Sequence, residues 1–317
     1  MTDSSIHLPV VFLMGPTATG KTQLAVELVQ QLPVDIISVD SAMVYRGMDI
    51  GTAKPAPEIL KIAPHRLIDI CDPVESYSAA RFCHDALVEI TQIHAAGRIP
   101  LLVGGTGLYF RALEKGLSEL PPADSEVRQQ LEAEAVIVGW DTMHSRLARV
   151  DPEAAGRIHP NDPQRIQRAL EVYALTGKSM SAHLGMNSSR PLPCAVVKIV
   201  ISPAERKDLH KQIRRRFLRM LDQGLVDEVR DLYERGDLHA GLPAMRMVGY
   251  RQVWHYLAGQ LDYKAMTDQA VVATRQLAKR QLTWFRREQG AEWFASQDAA
   301  ITANLLNYLA DKIALPE

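Results

Sequence analysis

A parallel α/β sheet flanked by helices, interrupted by a helical insertion, is the architecture this sequence predicts. The first 110 residues alternate short β-branched runs with stretches of helical spacing, the pattern of parallel strands joined by crossover helices. One strand candidate runs straight into a glycine-rich loop. A central stretch of different character reads as helix without strand alternation, and prolines mark its borders at Pro121-Pro122 and Ser188-Ser-Arg-Pro-Leu-Pro193. The expected division is a core made of residues 1–119 and 191–317, with residues 120–190 as the insertion.

Taken in order, Val10–Met14 is a buried strand and Gly15–Thr22 a loop. Gln23–Leu32 has helical apolar spacing at Leu24, Leu28 and Val29. Ile36–Asp40 and Ile99–Val103 are the next strands, the latter followed by Gly104-Gly-Thr-Gly107. The insertion contains helices near 125–136, 141–150 and 162–176, the last capped by Asp162-Pro163. Ala195–Ile201 is a further strand. Ser202-Pro203-Ala-Glu205 then reads as a capping box with proline at the first helical position, and the C-terminal third is mostly helical.

Composition narrows the class. A chain of 317 residues with 47% hydrophobic and 23% charged content is an ordinary globular protein, neither disordered nor collagenous. Apolar runs such as Val10–Met14 are far too short to cross a bilayer. Met1–His7 carries no basic segment, and Cys71, Cys83 and Cys194 lie far apart without a C-x-x-C pair. A cytoplasmic protein without a membrane, disulfide framework or zinc site is expected. The net charge of −1 hides an asymmetry: residues 1–100 hold 7 Lys/Arg against 11 Asp/Glu, whereas residues 201–290 hold 17 against 11. Such a basic third can hold a polyanion on one face, or simply be solvated.

Gly15-Pro16-Thr17-Ala18-Thr19-Gly20-Lys21-Thr22 matches G-x-x-x-x-G-K-[ST] between a strand and a helix. Glycines let the backbone curl so that N–H groups face phosphate oxygens, and the helix N-terminus adds positive potential. Lys21 supplies a point charge and the Thr22 hydroxyl is a Mg2+ ligand candidate. The core is therefore expected to be P-loop NTPase-like, with a nucleoside triphosphate as the usual partner of such a loop. Ligands of open α/β sheets bind beyond the carboxyl ends of the strands. Asp40 ends the second strand there, either as a Walker-B-like Mg2+ ligand or as a general base. Thr106, inside Gly104-Gly-Thr-Gly-Leu-Tyr109, ends another strand at the same edge.

Three basic faces lie elsewhere. Leu209, Ile213, Phe217 and Met220 share one side of the helix after Ser202, with Arg206, His210, Lys211, Arg214, Arg215 and Arg219 mainly outside it. Arg216 sits on the edge of the apolar stripe and needs an anion, either a phosphate or a core carboxylate. Arg275 to Arg287 contains five cations and no acid; Arg275, Lys279 and Arg286 share an arc that continues to Arg280, opposite Leu277, Trp284 and Phe285. In the insertion, Gln164, Arg165 and Arg168 share one face, and Ile166, Leu170 and Tyr173 the other. Nucleic-acid phosphates are the favoured partner of these stripes. The residues alone also fit a P-loop small-molecule kinase using ATP, or a nucleotide-gated RNA-binding protein.

The motifs taken together resemble the tRNA dimethylallyltransferase family, which prenylates adenosine at tRNA position 37. They are the phosphate loop, Asp40-Ser41 with Val44-Tyr45, Ile50-Gly-Thr-Ala-Lys-Pro55, Gly104-Gly-Thr-Gly-Leu-Tyr109, His159 to Val172, Val248-Gly-Tyr-Arg251 and Thr274 to Trp284. The resemblance spans most of the chain and, without the zinc finger of eukaryotic relatives, is to the compact bacterial form. It implies that the loop holds dimethylallyl diphosphate rather than ATP, with Mg2+ on Thr22. It implies Asp40 as the base, Arg216 on the diphosphate, and Thr106 in contact with the adenosine or diphosphate. It places tRNA contacts at Asp40, Ser41, Ala42 and Met43, at Gln164, Arg165, Ile166, Gln167 and Arg168, at Arg128, and at Gly241, Leu242, Pro243, Ala244, Met245 and Arg246. Arg275, Lys279 and Arg280 join them from the basic stripe. Met43 replaces the Gln that many members carry. The expected partner is the anticodon stem-loop, bound by a monomer.

Overall fold

The computed structural model describes residues 8–118, 120–185 and 191–313. Met1–His7 and Ser188–Arg190, named above, lie outside the described residues. The chain divides into two compact units, Met1–Glu114 with Leu192–Glu317, and Lys115–Pro191. The strands are β1 (Val10–Met14), β2 (Val34–Val39), β3 (His65–Arg66), β4 (Ile99–Gly104), β5 (Val196–Ser202) and β6 (Ala291–Ala295). Between β1 and β5 come helices α1 (Lys21–Val29), α2 (Pro57–Ile62), α3 (Ala79–Ala95), α4 (Gly107–Lys115), α5 (Ser125–Val138), α6 (Trp140–Val150), α7 (Pro152–Arg157), α8 (Pro163–Thr176) and α9 (Met180–Gly185). After β5 follow α10 (Arg206–Asp222), α11 (Leu225–Glu234), α12 (Tyr250–Leu257), α13 (Tyr263–Phe285) and α14 (Ile301–Lys312).

The first unit is built on one parallel sheet in the order β3-β2-β4-β1-β5-β6. Its central strands β1 and β4 are buried along their whole length because both faces of the sheet are covered there. Along β1, Val10, Phe12 and Met14 enter the core beneath α3 and α10 to α13, while Val11 and Leu13 enter the core beneath α1 and α14. Strand direction fixes what lies at the carboxyl edge. The loops after β1, β2 and β4 begin there side by side, because β1 pairs with β4 and β4 with β2. The chain leaves β1 toward β2 in one direction and leaves the neighbouring β4 toward β5 in the other, so the loops after β1 and β4 flank the point where the winding reverses.

The second unit has a core of its own. Leu131, Met143, Leu147, Ile166 and Leu170 are buried together among α5 to α8. The side chain of Asp162 accepts the Arg165 N–H as the N-cap of α8, with Pro163 at the first turn. Tyr173, expected on the buried face, is 37% exposed and lies outside the core cluster of this unit.

Two local expectations are corrected. Ser202 does not cap a helix: it ends β5, pairs with Ala295, and its carbonyl accepts the Ser296 N–H at 2.8 Å. Helix α10 begins only at Arg206, and Glu205 at its cap position makes no side-chain capping bond. Strand pairing satisfied a residue whose local signal pointed to a helix start. The partner strand, β6, has no counterpart in the sequence reading. It is a five-residue edge strand with Trp293 39% exposed, so its own pattern carries little periodicity. No helix among the described residues is long and apolar enough to cross a membrane.

Candidate functional site

The loop after β1 curls tightly. Ala18 at φ +64° and Gly20 at φ +82° both adopt left-handed backbone. A Cβ at Gly15 would lie 2.3 Å from the Ile201 carbonyl oxygen of β5, so only glycine fits this close strand approach. The Thr19 hydroxyl and the Lys21 ammonium both donate to the Pro16 carbonyl, at 2.9 and 2.6 Å. Lys21 thereby folds back over the loop whose curl it stabilises.

Two glycines after β4 let other elements close in. A side chain at Gly105 would strike Gln281, and one at Gly107 would strike Trp284, both from α13. Gln281 accepts the Thr17 N–H at 2.9 Å and donates to the Gly105 carbonyl at 2.9 Å, tying α13 to two strand-end loops at once. Trp284 and Leu277 wall the cavity, whereas Phe285 alone of the three apolar residues of that face is fully buried.

At the end of β2, the Asp40 carboxylate accepts the Ala42 N–H at 2.8 Å. The Thr106 hydroxyl accepts the Ser41 N–H at 3.2 Å, and the Thr106 N–H donates to the Val39 carbonyl. These bonds hold Asp40 and Thr106 beside each other at the sheet edge. Asp40, Thr106, Thr17, Arg216, Arg246 and Arg280 line one cavity of about 400 Å3. A neighbouring cavity of about 750 Å3 is lined by the loop residues Ala18 to Thr22 together with Lys54 and Arg219. The two share Ala18, Arg216 and Met220.

Arg216 is the hinge of this arrangement. Its guanidinium donates to the Thr52 carbonyl at 3.4 Å and makes no ion pair with a carboxylate among the described residues. Burial lowers its pKa, and only partial compensation comes from Asp40. Lys21 is lowered to about 7 by burial and by repulsion from Arg216, against attraction from Asp40. Two desolvated cations facing each other form a site short of negative charge, and an anion between them relieves both penalties.

A residue missed in the sequence organises the floor. Glu228 of α11 accepts the backbone N–H groups of Asp49, Ile50 and Gly51 at 2.9, 2.7 and 3.1 Å, and the Tyr250 hydroxyl at 2.5 Å. Buried Lys54 bonds the Tyr45 carbonyl, Asp49 and Asp69. Together these fix the loop that carries Gly51 and Thr52 into the cavity wall. Gln281 was likewise missed. Gln281 lies within the Thr274–Trp284 motif, whereas Glu228 lies in no stretch that the sequence singled out.

The other predicted contacts are distributed. Ser41 and Ala42 join the cavity lining, while half-buried Met43 lies against Ser38. Among residues 241–246, Gly241, Pro243 and Arg246 are exposed, Leu242 is half-buried, and Ala244 and Met245 are wholly buried, so the last two offer no side chain to a partner. Arg275 and Lys279 face a separate groove, unlike Arg280. In the second unit, Ile166 is a core residue rather than a surface contact. Gln164 and Arg165 are exposed, and Gln167 donates to Glu132 and the Arg128 carbonyl. Arg128 and Arg168 both grip Glu171, which is fully buried. Burial pushes the Glu171 carboxyl up, but the two guanidinium groups hold it below the usual range.

No cluster of three or more His, Cys, Asp or Glu able to hold a metal exists among the described residues. Thr22, lining the larger cavity, is the hydroxyl placed to provide a Mg2+ ligand.

The same geometry has relatives. Residues 43–288 match the IPP transferase family. A tRNA dimethylallyltransferase of Thioalkalivibrio sulfidiphilus is 60% identical over 304 residues, which is 95% of either chain. The tRNA isopentenylpyrophosphate transferase of Bacillus halodurans superposes with a TM-score of 0.71 at 40% identity, covering 96% of each chain. A eukaryotic dimethylallyltransferase solved acting on tRNA gives 0.79 at 25% identity, over 98% of this chain and 81% of that one. A family match over residues 43–288 and 60% identity to a relative across 95% of the chain, on a fold shared with solved members, make this chain a member of the IPP transferase family.

Proposed function

We propose that this protein transfers a dimethylallyl group from dimethylallyl diphosphate to the exocyclic amine of adenosine 37 in tRNA, beside the anticodon, and releases diphosphate. The observation that carries this reading is the meeting of two cavities at Ala18 and Arg216. One is lined by phosphate-binding groups, and the other by a carboxylate and a hydroxyl suited to a base.

In this reaction the bond between the prenyl C1 and the diphosphate oxygen breaks as the amine nitrogen bonds to that carbon. The amine is a poor nucleophile and must shed a proton; Asp40 accepts it. Negative charge grows on the leaving oxygen, where Lys21, Arg216 and the loop amides stabilise it. When bound, Mg2+ on Thr22 would supply further neutralisation of the diphosphate. Thr106 orients the adenosine beside Asp40. The adenosine must leave its stack to reach the cavity, as bases do in enzymes that act on them. In the second unit, Arg128 and residues 164–168 hold the stem-loop by backbone contacts, with Gly241–Arg246 and Arg280 nearer the base. Ile166, Ala244 and Met245 serve by holding their neighbours in place.

The test uses labelled dimethylallyl diphosphate, Mg2+ and tRNA transcripts carrying adenosine or guanosine at position 37. Label is expected only in the adenosine transcript. ATP offered instead of the donor is expected to survive; its turnover without prenyl transfer would replace this reading with that of a kinase.

A further inference from the structure

Strand β5 carries a lysine, Lys198, inside the otherwise apolar run Val196–Ile201. The strand is paired on both sides, and Lys198 stands opposite Phe12 of β1 and Ala291 of β6. Paired residues of neighbouring strands share a face. Lys198 therefore lies on the side of the sheet where Phe12 packs on Phe110 of α4, and Phe110 on Phe285 of α13. Its ammonium reaches the Glu114 carboxylate at 2.8 Å, the Glu288 carboxylate at 3.4 Å and the Gln289 carbonyl at 3.5 Å. All three charged side chains are largely buried. Glu114 belongs to the last turn of α4, and Glu288 follows the end of α13. None of these residues lines either of the two cavities at the phosphate loop.

Burying three charges here adds little stability over apolar residues of the same volume; what it adds is a directional tie between elements. Helices α4 and α13 meet at three levels. Gly107 lies against Trp284, Phe110 against Phe285, and Glu114 is joined to Glu288 through Lys198. The first level is the wall of the cavity that holds Asp40, since Thr106 immediately precedes α4 and Gln281 and Trp284 belong to α13. The third lies about 10 Å farther along the α4 axis. We infer that Lys198 is a positioning residue: by clasping Glu114 and Glu288 it fixes the angle between α4 and α13. That angle sets Thr106 against Gln281 and Trp284. With the clasp open, the two helices pivot about the Phe110–Phe285 contact and the cavity wall shifts at its other end. The kinetic consequence rests on the reaction proposed above.

The experiment compares the full chain with Lys198→Met, Lys198→Arg and a triple variant, Lys198→Met with Glu114→Gln and Glu288→Gln. Single-turnover prenyl transfer at saturating donor and tRNA is measured beside thermal melts and fluorine NMR of fluorotryptophan-labelled protein. Trp284→Phe assigns the Trp284 resonance. Lys198→Met strands two buried carboxylates, so it is expected to melt lower and to transfer about ten-fold or more slowly. The triple variant strands no charge. It is expected to melt close to the wild type yet to remain slow, with its Trp284 resonance displaced. Lys198→Arg, whose fork can span both carboxylates, is expected to regain most of the rate. A triple variant that transfers at the wild-type rate overturns the inference, because the clasp then holds the fold without placing the cavity wall. Failure of the full chain to transfer label overturns the proposed reaction instead. The Trp284 resonance needs neither RNA nor donor and then decides the clasp: displaced in the triple variant it stands, unmoved it falls.

Discussion

Gln281 and Thr17, 264 residues apart in the chain, are joined by a 2.9 Å hydrogen bond from the Thr17 N–H to the Gln281 carboxamide oxygen. The other end of the same carboxamide holds the Gly105 carbonyl. One side chain of α13 therefore sets the spacing between the phosphate loop and the turn bearing Thr106. Gln281→Ala removes both bonds and opens space beside Gly105. Two neutral hydrogen bonds are worth about 1–3 kcal/mol. A drop of about ten- to a hundred-fold in kcat/KM for the prenyl donor is expected, with the melting temperature nearly retained. Steady-state kinetics with the donor varied decide it; an unchanged kcat/KM would mean that the loops hold their spacing alone.

Glu228 does for the cavity floor what Gln281 does for its edge. Its carboxylate accepts three consecutive backbone N–H groups and the Tyr250 hydroxyl, whose own ionisation is pushed up by burial and by Glu228. Glu228→Ala leaves those donors without a partner and costs about 3 kcal/mol of stability. Glu228→Gln keeps one acceptor and is expected to fall between. Because the loop carries Thr52, whose carbonyl takes Arg216, the donor KM should rise in both variants more than kcat falls. Thermal melts and donor kinetics measured together check it. Equal effects on KM and kcat would count against a role in positioning Arg216.

Much of this was legible in the sequence, and the failures have a common physical origin. The phosphate loop is contiguous, so its spacing alone announces it, and β1 carries a full apolar run between turn residues. Asp40 and Thr106 follow apolar strands and so fall at the ligand edge of a parallel sheet. Gln281 and Glu228 act through contacts with distant backbone groups, and no periodicity encodes a partner so far along the chain. Strand β6 exists because β5 offers it a free edge. The helical wheel correctly grouped Arg275, Lys279 and Arg286, but it shows which residues share a face and not what that face meets. Arg280, placed at the end of the same arc, turns out to look into the cavity lined by Asp40 and Thr106.

Asp40 is the base in the proposed chemistry, and its removal should separate chemistry from binding. Asp40→Ala is expected to cut kcat by about a hundred-fold or more, the usual contribution of a general base. Affinity for tRNA should stay within a few fold, since the contacts to backbone phosphates lie elsewhere. Single-turnover transfer and filter binding on the same preparation are the measurements. A large loss of affinity with turnover retained would reassign Asp40 from base to RNA anchor.

The second unit invites a stability prediction. Glu171 is fully buried, holds Arg128 and Arg168, and accepts the Asp124 N–H at 2.8 Å. Its folded pKa lies below the unfolded value, so its contribution is complete above the ordinary carboxylate range and is lost as pH falls through the folded value. Glu171→Gln should destabilise this unit by about 1–3 kcal/mol at pH 7, because the two arginines retain partial access to solvent and are not stranded. The loss should shrink as the pH is lowered below the ordinary carboxylate range. Urea melts read by a fluorophore attached to α5 or α6 give the comparison, and a pH-independent difference would show that packing, not charge, holds Glu171.

Lys21 provides the last prediction, because burial and repulsion from Arg216 lower its pKa to about 7. A diphosphate beside it favours the charged ammonium, so the bound pKa lies above the free one. Binding therefore takes up a proton wherever the free lysine is neutral and the bound one charged. The sign follows: the contribution of Lys21 to donor affinity is full below pH 7 and declines as pH rises through and above 7, by up to about ten-fold per pH unit until the bound pKa is reached. Calorimetry of donor binding at pH 8 in two buffers of different ionisation enthalpy should show uptake approaching one proton per site. Lys21→Arg, whose guanidinium stays charged, should flatten the affinity profile between pH 7 and 9 even where it weakens binding overall. Proton release on binding, or a profile that keeps its slope in Lys21→Arg, would place the titrating group elsewhere and remove Lys21 from the diphosphate.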